Sequence, residues 1–324
     1  LETSDGTLII VYNKNNIPNQ DGGNHDIWTL RSTDKGQTWN EIRVTDEGQH
    51  DIFPNIFEDN DDNLLIVYTH NNDNGTIWGS GDAWIVNSSD DGLTWSEPFA
   101  ILTNSSITER EPVIEQDSSG MYYILYESGS ELYIHNSTQF NTGWSQPGIQ
   151  VTNSTEGDVD VEVLVINDVF YFAWAPFDPN NNTDQDIYFA KTTNPLQFDA
   201  LGQNKVALSD GPFRAYETSI GSDNDGYLYV AWSSTTNLSD NYWGYDEQYE
   251  RTSNELFIAR SLDAGDTWNV RAVTNNDYSD GYPGLVQSGS EGLYYLTSLI
   301  ANDAYGNMEI GFGQRDFSPE DAIN

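Results

Sequence analysis

The sequence predicts an all-β chain of repeated, stacked units, on three observations. The spelling S-x-D-x-G-x-T-W occurs three times, over residues 32–39, 88–95 and 261–268. Short β-branched and aromatic runs recur along the chain between turns rich in Asp, Asn, Ser and Gly. No stretch carries the 3.6-residue periodicity of an amphipathic helix. Four antiparallel strands repeating at roughly 50–70 residues describe the blade of a propeller. The prediction is a single-domain, six-bladed β-propeller over residues 1–324, of four-stranded antiparallel blades.

The repeated octapeptide is a hairpin lock. Its Asp is suited to accept backbone N–H groups two residues on, and its Gly to take the positive φ of a tight turn. Thr and Trp then begin a strand, with the indole beside the turn. Ahead of each lock comes an acid followed by an apolar run, at 26–30, 82–86, 131–135, 186–190, 255–259 and 309–313. These read as third strands of blades. Second strands precede them at 8–12, 64–68, 122–126, 170–174, 228–232 and 293–297. Inner strands are expected at 54–57, 112–115, 161–165, 218–221 and 283–286. The middle strands are nearly continuous apolar runs, as strands covered on both faces should be.

The blades fall at about 1–45, 46–105, 106–152, 153–208, 209–275 and 276–324. The first is short of its inner strand and the last of its outer one, so a fragment of a longer secreted or surface protein is expected. The locks at 137–144 and 192–198 have drifted from the consensus.

Twelve basic residues face 52 acidic ones, a net charge of −40. That balance excludes nucleic acid and anionic membranes as natural partners. No apolar run approaches the roughly 20 residues of a membrane span, so no direct insertion is expected. There is no Cys, hence no disulfide and no thiolate metal site. Seven N-x-S/T sequons, at Asn74, Asn87, Asn104, Asn136, Asn153, Asn181 and Asn237, join the acidity in pointing to an extracellular or cell-surface setting, with other domains of the same surface protein as partners.

The repeat resembles the Asp-box (BNR) repeat of sialidases and related β-propellers. The resemblance implies that ligand lies over the central axis, on the face opposite the locks. The loops expected there, 13–25, 69–81, 175–185, 233–254 and 298–306, are polar and aromatic. The longest carries Trp243, Tyr245 and Arg251 among carboxylates, a mixture suited to sugar C–H faces and hydroxyls. The inner-strand entrances carry Asp51, Arg110, Glu111, Asp160, Glu162, Arg214, Glu217 and Tyr282. Charges at equivalent places in successive blades converge on one axial pocket.

Sialidases clamp a substrate carboxylate with three arginines and use a Tyr nucleophile, a Glu partner and an Asp acid/base. By that resemblance Tyr282 is the nucleophile, and Glu217 or Glu162 its partner. Arg214 is a carboxylate clamp, and Asp51 or another axial acid the proton donor. Arg110, Glu111, Asp160, Glu162, Trp243, Tyr245 and Arg251 bind substrate. The family's Arg-Ile-Pro signature is not present. Ala175-Pro176 stands where an Arg would follow the second strand of the fourth blade. Arg31, Arg43, Arg260, Arg271 and Arg315 fall on outer strands, leaving Arg110, Arg214 and Arg251 near the pocket.

The expectation is a sialidase-like glycoside hydrolase acting on extracellular glycans. The alternative is a non-catalytic glycan-binding or cell-surface, surface-layer propeller module. No cofactor is expected. His25, His50 and His70 read as solvated loop residues rather than metal ligands, and Ca²⁺ in a structural role is the ion that the oxygen-rich composition suits.

Overall fold

The computed structural model describes residues 1–15, 24–46, 48–71, 81–102, 108–177, 185–209, 214–223, 225–235, 254–274, 279–287, 294–301 and 308–315. Of Tyr282 and of the last two strands the backbone alone is described. The chain divides into two compact units. One comprises Leu1–Asn153, Val165–Phe170 and Thr192–Gly202; the other comprises Ser154–Leu164, Tyr171–Lys191 and Gln203–Asn324.

The first unit holds three antiparallel sheets. These are β1 (Leu8–Asn15), β2 (His25–Ser32) and β3 (Asn40–Arg43); β4 (His50–Glu58), β5 (Leu64–Asn71), β6 (Gly81–Ser88) and β7 (Phe99–Ala100); and β8 (Arg110–Gln116), β9 (Tyr122–Ser128), β10 (Glu131–Ser137) and β11 (Ile149–Gln150). Most of the second unit is β12 (Gly157–Ile166), β13 (Val169–Phe177), β14 (Tyr188–Thr192) and β15 (Val206–Ala207); β16 (Ala215–Ser222), β17 (Leu228–Thr235), β18 (Asn254–Ser261) and β19 (Asn269–Ala272); and β20 (Ser279–Gln287), β21 (Tyr294–Ala301) and β22 (Met308–Arg315). Each sheet keeps the strands in chain order, the meander expected of a blade.

The expected count of six blades is corrected to five. Among the described residues five sheets carry an inner strand, and four of those have all four strands. In the β1–β3 sheet only Leu1 and Glu2 stand in the inner place. Leu1 exchanges hydrogen bonds with Ile9, at 3.0 and 2.8 Å, before the chain turns through Thr3–Thr7. The β20–β22 sheet has three strands among the described residues.

The second sheet shows why the middle strands read as unbroken apolar runs. All eight residues of β5 are buried. Leu65 and Val67 face the third sheet, with Ile114, Ile124 and Tyr126. Ile66 and Tyr68 face the first sheet, with Ile27 and Val11. Each large side chain so covered contributes about 1.5–3 kcal/mol.

The three Asp boxes are superimposable in their bonding. Ser32, Ser88 and Ser261 accept the N–H of Gly36, Gly92 and Gly265 at 2.8–3.0 Å. Asp34, Asp90 and Asp263 reach four residues on, not two, accepting Thr38, Thr94 and Thr267 N–H at 2.8–2.9 Å. The lock also fastens neighbours. Arg31 on β2 donates from Nε to Asp91 O at 2.8 Å and pairs with the Asp91 carboxylate. Lys191 on β14 donates to Ala264 O at 2.9 Å. A second stitch was not foreseen. Ser4, Asn60 and Ser118, each in a turn joining the first two strands of a blade, donate N–H to Glu58, Gln116 and Asp168 at 2.7–2.9 Å.

Candidate functional site

The inner strands begin earlier than expected, so their charged entrances lie on strand rather than loop. β4, β8, β16 and β20 each break register after their first residues, between Ile52/Asn55, Arg110/Val113, Tyr216/Ser219 and Gly281/Gly284. Each break is a β-bulge, which re-aims one side chain and increases the local twist. Phe53, Glu111 and Glu217, the first extra residue of three of them, have positive φ of 53°, 50° and 57°. Asp160 on β12 matches them at 52°. The left-handed region is unfavourable for residues with a Cβ, and such strain gathers at ligand sites. Tyr282 occupies the equivalent position in β20. Four of the expected site residues therefore sit at one repeated backbone position.

In the second unit these bulges are bonded in series. The Glu217 N–H donates to Asp160 Oδ2 at 3.2 Å. Thr218 donates its hydroxyl to the Asp160 carbonyl at 2.6 Å. Glu217 Oε2 accepts the Ser233 hydroxyl at 2.9 Å. A Cβ at Gly281 would lie 3.1 Å from that same oxygen. The Glu217 carboxylate thus rests against the backbone that carries Tyr282. Glu162, two residues beyond Asp160, keeps some exposed surface. Desolvation and then the Asp160 charge push its carboxyl up to about 8. Arg214 bridges to Gln185 ahead of β16 and holds its guanidinium 5.6 Å from the Tyr216 ring.

In the first unit, Arg110 is engaged by Glu111 at 3.2 Å and Glu127 at 3.8 Å, above the Phe53 ring at 5.5 Å. The Glu111 N–H donates to Thr69 Oγ1 at 3.0 Å. Asp51 is fully buried, with Oδ1 2.7 Å from His70 Nδ1. The histidines are half-buried or buried, not the solvated residues expected. His25 and His50 bring their Nδ1 atoms to 3.1 Å. Among the described residues no three His, Asp or Glu side chains form a metal site. Trp243, Tyr245 and Arg251 lie outside the described residues.

Sequence reasoning missed Phe53, Glu127, Ser233 and the engagement of His70. One signal was in view. Pro54, Pro112 and Pro283 follow the bulge residue in three inner strands. Pro lacks an N–H for the ladder and marks a bulge or an edge.

The family model of the BNR repeat-like domain matches residues 6–296. The chain belongs to the BNR repeat-like family. Its sheets are blades of the β-propeller that the repeat builds in the sialidase superfamily. No functionally curated protein matches this BNR repeat-like chain in sequence. Among solved structures it is similar to the α-L-arabinofuranosidase Arb93A of Fusarium graminearum, with 16% identity, 98% of this chain and 92% of that one covered, and a TM-score of 0.70. It is similar to an α-L-arabinanase of Penicillium chrysogenum complexed with arabinobiose, with 16% identity, coverage of 98% and 91%, and a TM-score of 0.69. The NanB sialidase of Streptococcus pneumoniae follows, with 10% identity, coverage of 98% and 67%, and a TM-score of 0.67. At these identities the likeness is one of fold.

Proposed function

We propose that the chain is a glycoside hydrolase acting on extracellular glycans, with its chemistry at the inner-strand bulges of the second unit. The observation that carries this reading is the bonded pair Asp160–Glu217 with Glu162 beside it. Glycoside hydrolysis needs one carboxyl that keeps its proton and another group that supplies a base or nucleophile. Glu162, pushed up to about 8, is the proton donor at neutral pH. Glu217 is the base, and the backbone it touches leads directly into Tyr282. In that role Glu217 takes the phenol proton while Tyr282 attacks the anomeric carbon. Asp160 keeps Glu217 in place through its N–H.

The pattern favours a neutral sugar over a sialoside. Arg110 is already paired with two carboxylates, and a net charge of −40 repels an anionic ligand. The arabinan-degrading neighbours support the same choice. The exposed sequon Asn153 and the acidity support an extracellular setting. Release of aryl α-L-arabinofuranosides, measured beside aryl sialosides, tests the proposal. Unchanged turnover in Tyr282→Phe and Glu217→Gln would remove the residue assignment.

The second reading is a glycan-binding module without turnover. It is favoured by Arg110 and Arg214 being held by the protein's own groups. Binding on a glycan array, with no release from any aryl glycoside, selects it.

A further inference from the structure

The sequence casts Asp51 as a proton donor, yet its side chain has no contact with solvent. Its Oδ1 lies 2.7 Å from His70 Nδ1, across a cross-strand pair of β4 and β5. Its Oδ2 is buried and has no hydrogen-bond partner among the described residues. The carboxylate therefore acts on His70. A carboxylate at one ring nitrogen fixes the tautomer and orientation of an imidazole, leaving the other nitrogen for a different partner. The ring is further held by Trp84, with centroids 4.3 Å apart, and it stands opposite Asp82 on β6. His70 keeps 6% of its surface exposed, where Asp51 keeps none. Its neighbour Thr69 receives the N–H of the Glu111 bulge. The pair thus sits at the end of the sheet to which the bulges belong.

We propose that Asp51 is a positioning residue and that His70, through Nε2, hydrogen-bonds a hydroxyl of a sugar held at the first unit. The inference rests on the glycan reading above. It concerns the first unit by itself, and it assigns the buried acid to a role that needs no access to substrate.

His135 supplies an internal control. It too is buried, but both nitrogens are engaged, Nδ1 by the Ser145 carbonyl and Nε2 by the Tyr126 hydroxyl at 3.0 Å. Diethyl pyrocarbonate acylates unengaged imidazole nitrogens, and peptide mass mapping resolves the four histidines. The full chain is treated alone and with the tightest binder, by calorimetry, of an arabino-, galacto- and sialo-oligosaccharide panel. The expected result is several-fold faster acylation of His70 than of His135, and several-fold protection by the sugar. Asp51→Asn should slow His70 acylation and leave His135 and the melting temperature little changed. His70→Gln should weaken sugar binding, a second measure should Asp51→Asn fail to fold. His70 as inert as His135 overturns the proposal. Labelling unaffected by a sugar that binds overturns the contact while the glycan reading stands. If no member of the panel binds, the glycan reading falls and this inference with it.

Discussion

The main-chain N–H of Glu217 reaches Asp160 Oδ2 across 3.2 Å, so one inner-strand bulge is tied to the next by a carboxylate. Two acids are thereby fixed in one arrangement, beside a Glu162 carboxyl that desolvation pushes up to about 8. This is the relationship on which the proposed chemistry turns. Replacing Glu217 by Gln keeps shape and removes the proposed base. Loss of a general base costs about 10²–10⁴-fold in rate. Expected for Glu217→Gln is a kcat reduced by that order with KM within a few-fold, read by aryl glycoside release.

The contribution of two desolvated carboxyls to stability should fall as pH rises from about 4.5 to 8, against a smaller opposing one from His25, His50 and His135, whose burial lowers them from 6.5. Glu162 and Glu109 are pushed up from 4.5 to about 8 and about 7, each first by desolvation and then by a neighbouring Asp. The fold holds protons that the unfolded chain releases near 4.5, so folding takes up protons across that window. The stabilisation is complete below the lower value and lost through the upper ones. Asp34 and Asp263, held down to about 2 by Thr38 and Thr267, act in the opposite sense, and only below their usual 3.8. A melting temperature higher at pH 5 than at pH 8, with a smaller difference in Glu162→Gln, is the expected result.

The glycine of the Asp box is needed for space as well as for φ. A Cβ at Gly265 would lie 2.5 Å from the Phe189 ring, at φ +89°. Gly226 has φ +80° with nothing within 4 Å. Gly226→Ala should cost about 1–2 kcal/mol, the left-handed penalty. Gly265→Ala should cost about 1–3 kcal/mol more, from the clash. Urea titration of the two variants separates the effects, and equal losses would show that Phe189 gives way.

Arg31 fastens the first sheet to the Asp box of the second with bonds to Asp91 O and to the Asp91 carboxylate. A lysine ammonium does not reproduce the fork of a guanidinium. Arg31→Lys should lower stability by about 0.5–1.5 kcal/mol, the worth of a partly covered hydrogen bond. Asp91→Asn in the Arg31→Lys background should add little, because the pair is already broken.

Much of this architecture was legible. The Asp boxes fixed the third-to-fourth strand turns, because a bonding pattern local to eight residues survives in any context. The buried runs fixed β5, β9 and β13, because a strand covered on both faces has no polar alternation to disguise it. What escaped was non-local. The stitch from Ser118 to Asp168 joins residues fifty apart, and nothing in either segment announces it. The bulges left a trace in Pro54, Pro112 and Pro283, but Asp160 and Glu217 adopt the same backbone without a proline. Asp51 read as a proton donor because a sequence shows a charge and not its burial. Its partner His70 lies on the next strand, nineteen residues away.

The inner-strand bulges have a consequence for how such a protein diversifies. A side chain in a regular strand is bound by the inward and outward rhythm of its neighbours, so changing it disturbs a packed layer. At the bulge that rhythm is suspended, and the backbone is held by bonds from adjoining sheets. Phenylalanine, glutamate and aspartate all occupy the position in this one chain. The residue can be rewritten there, one bulge at a time, with the scaffold left as it is.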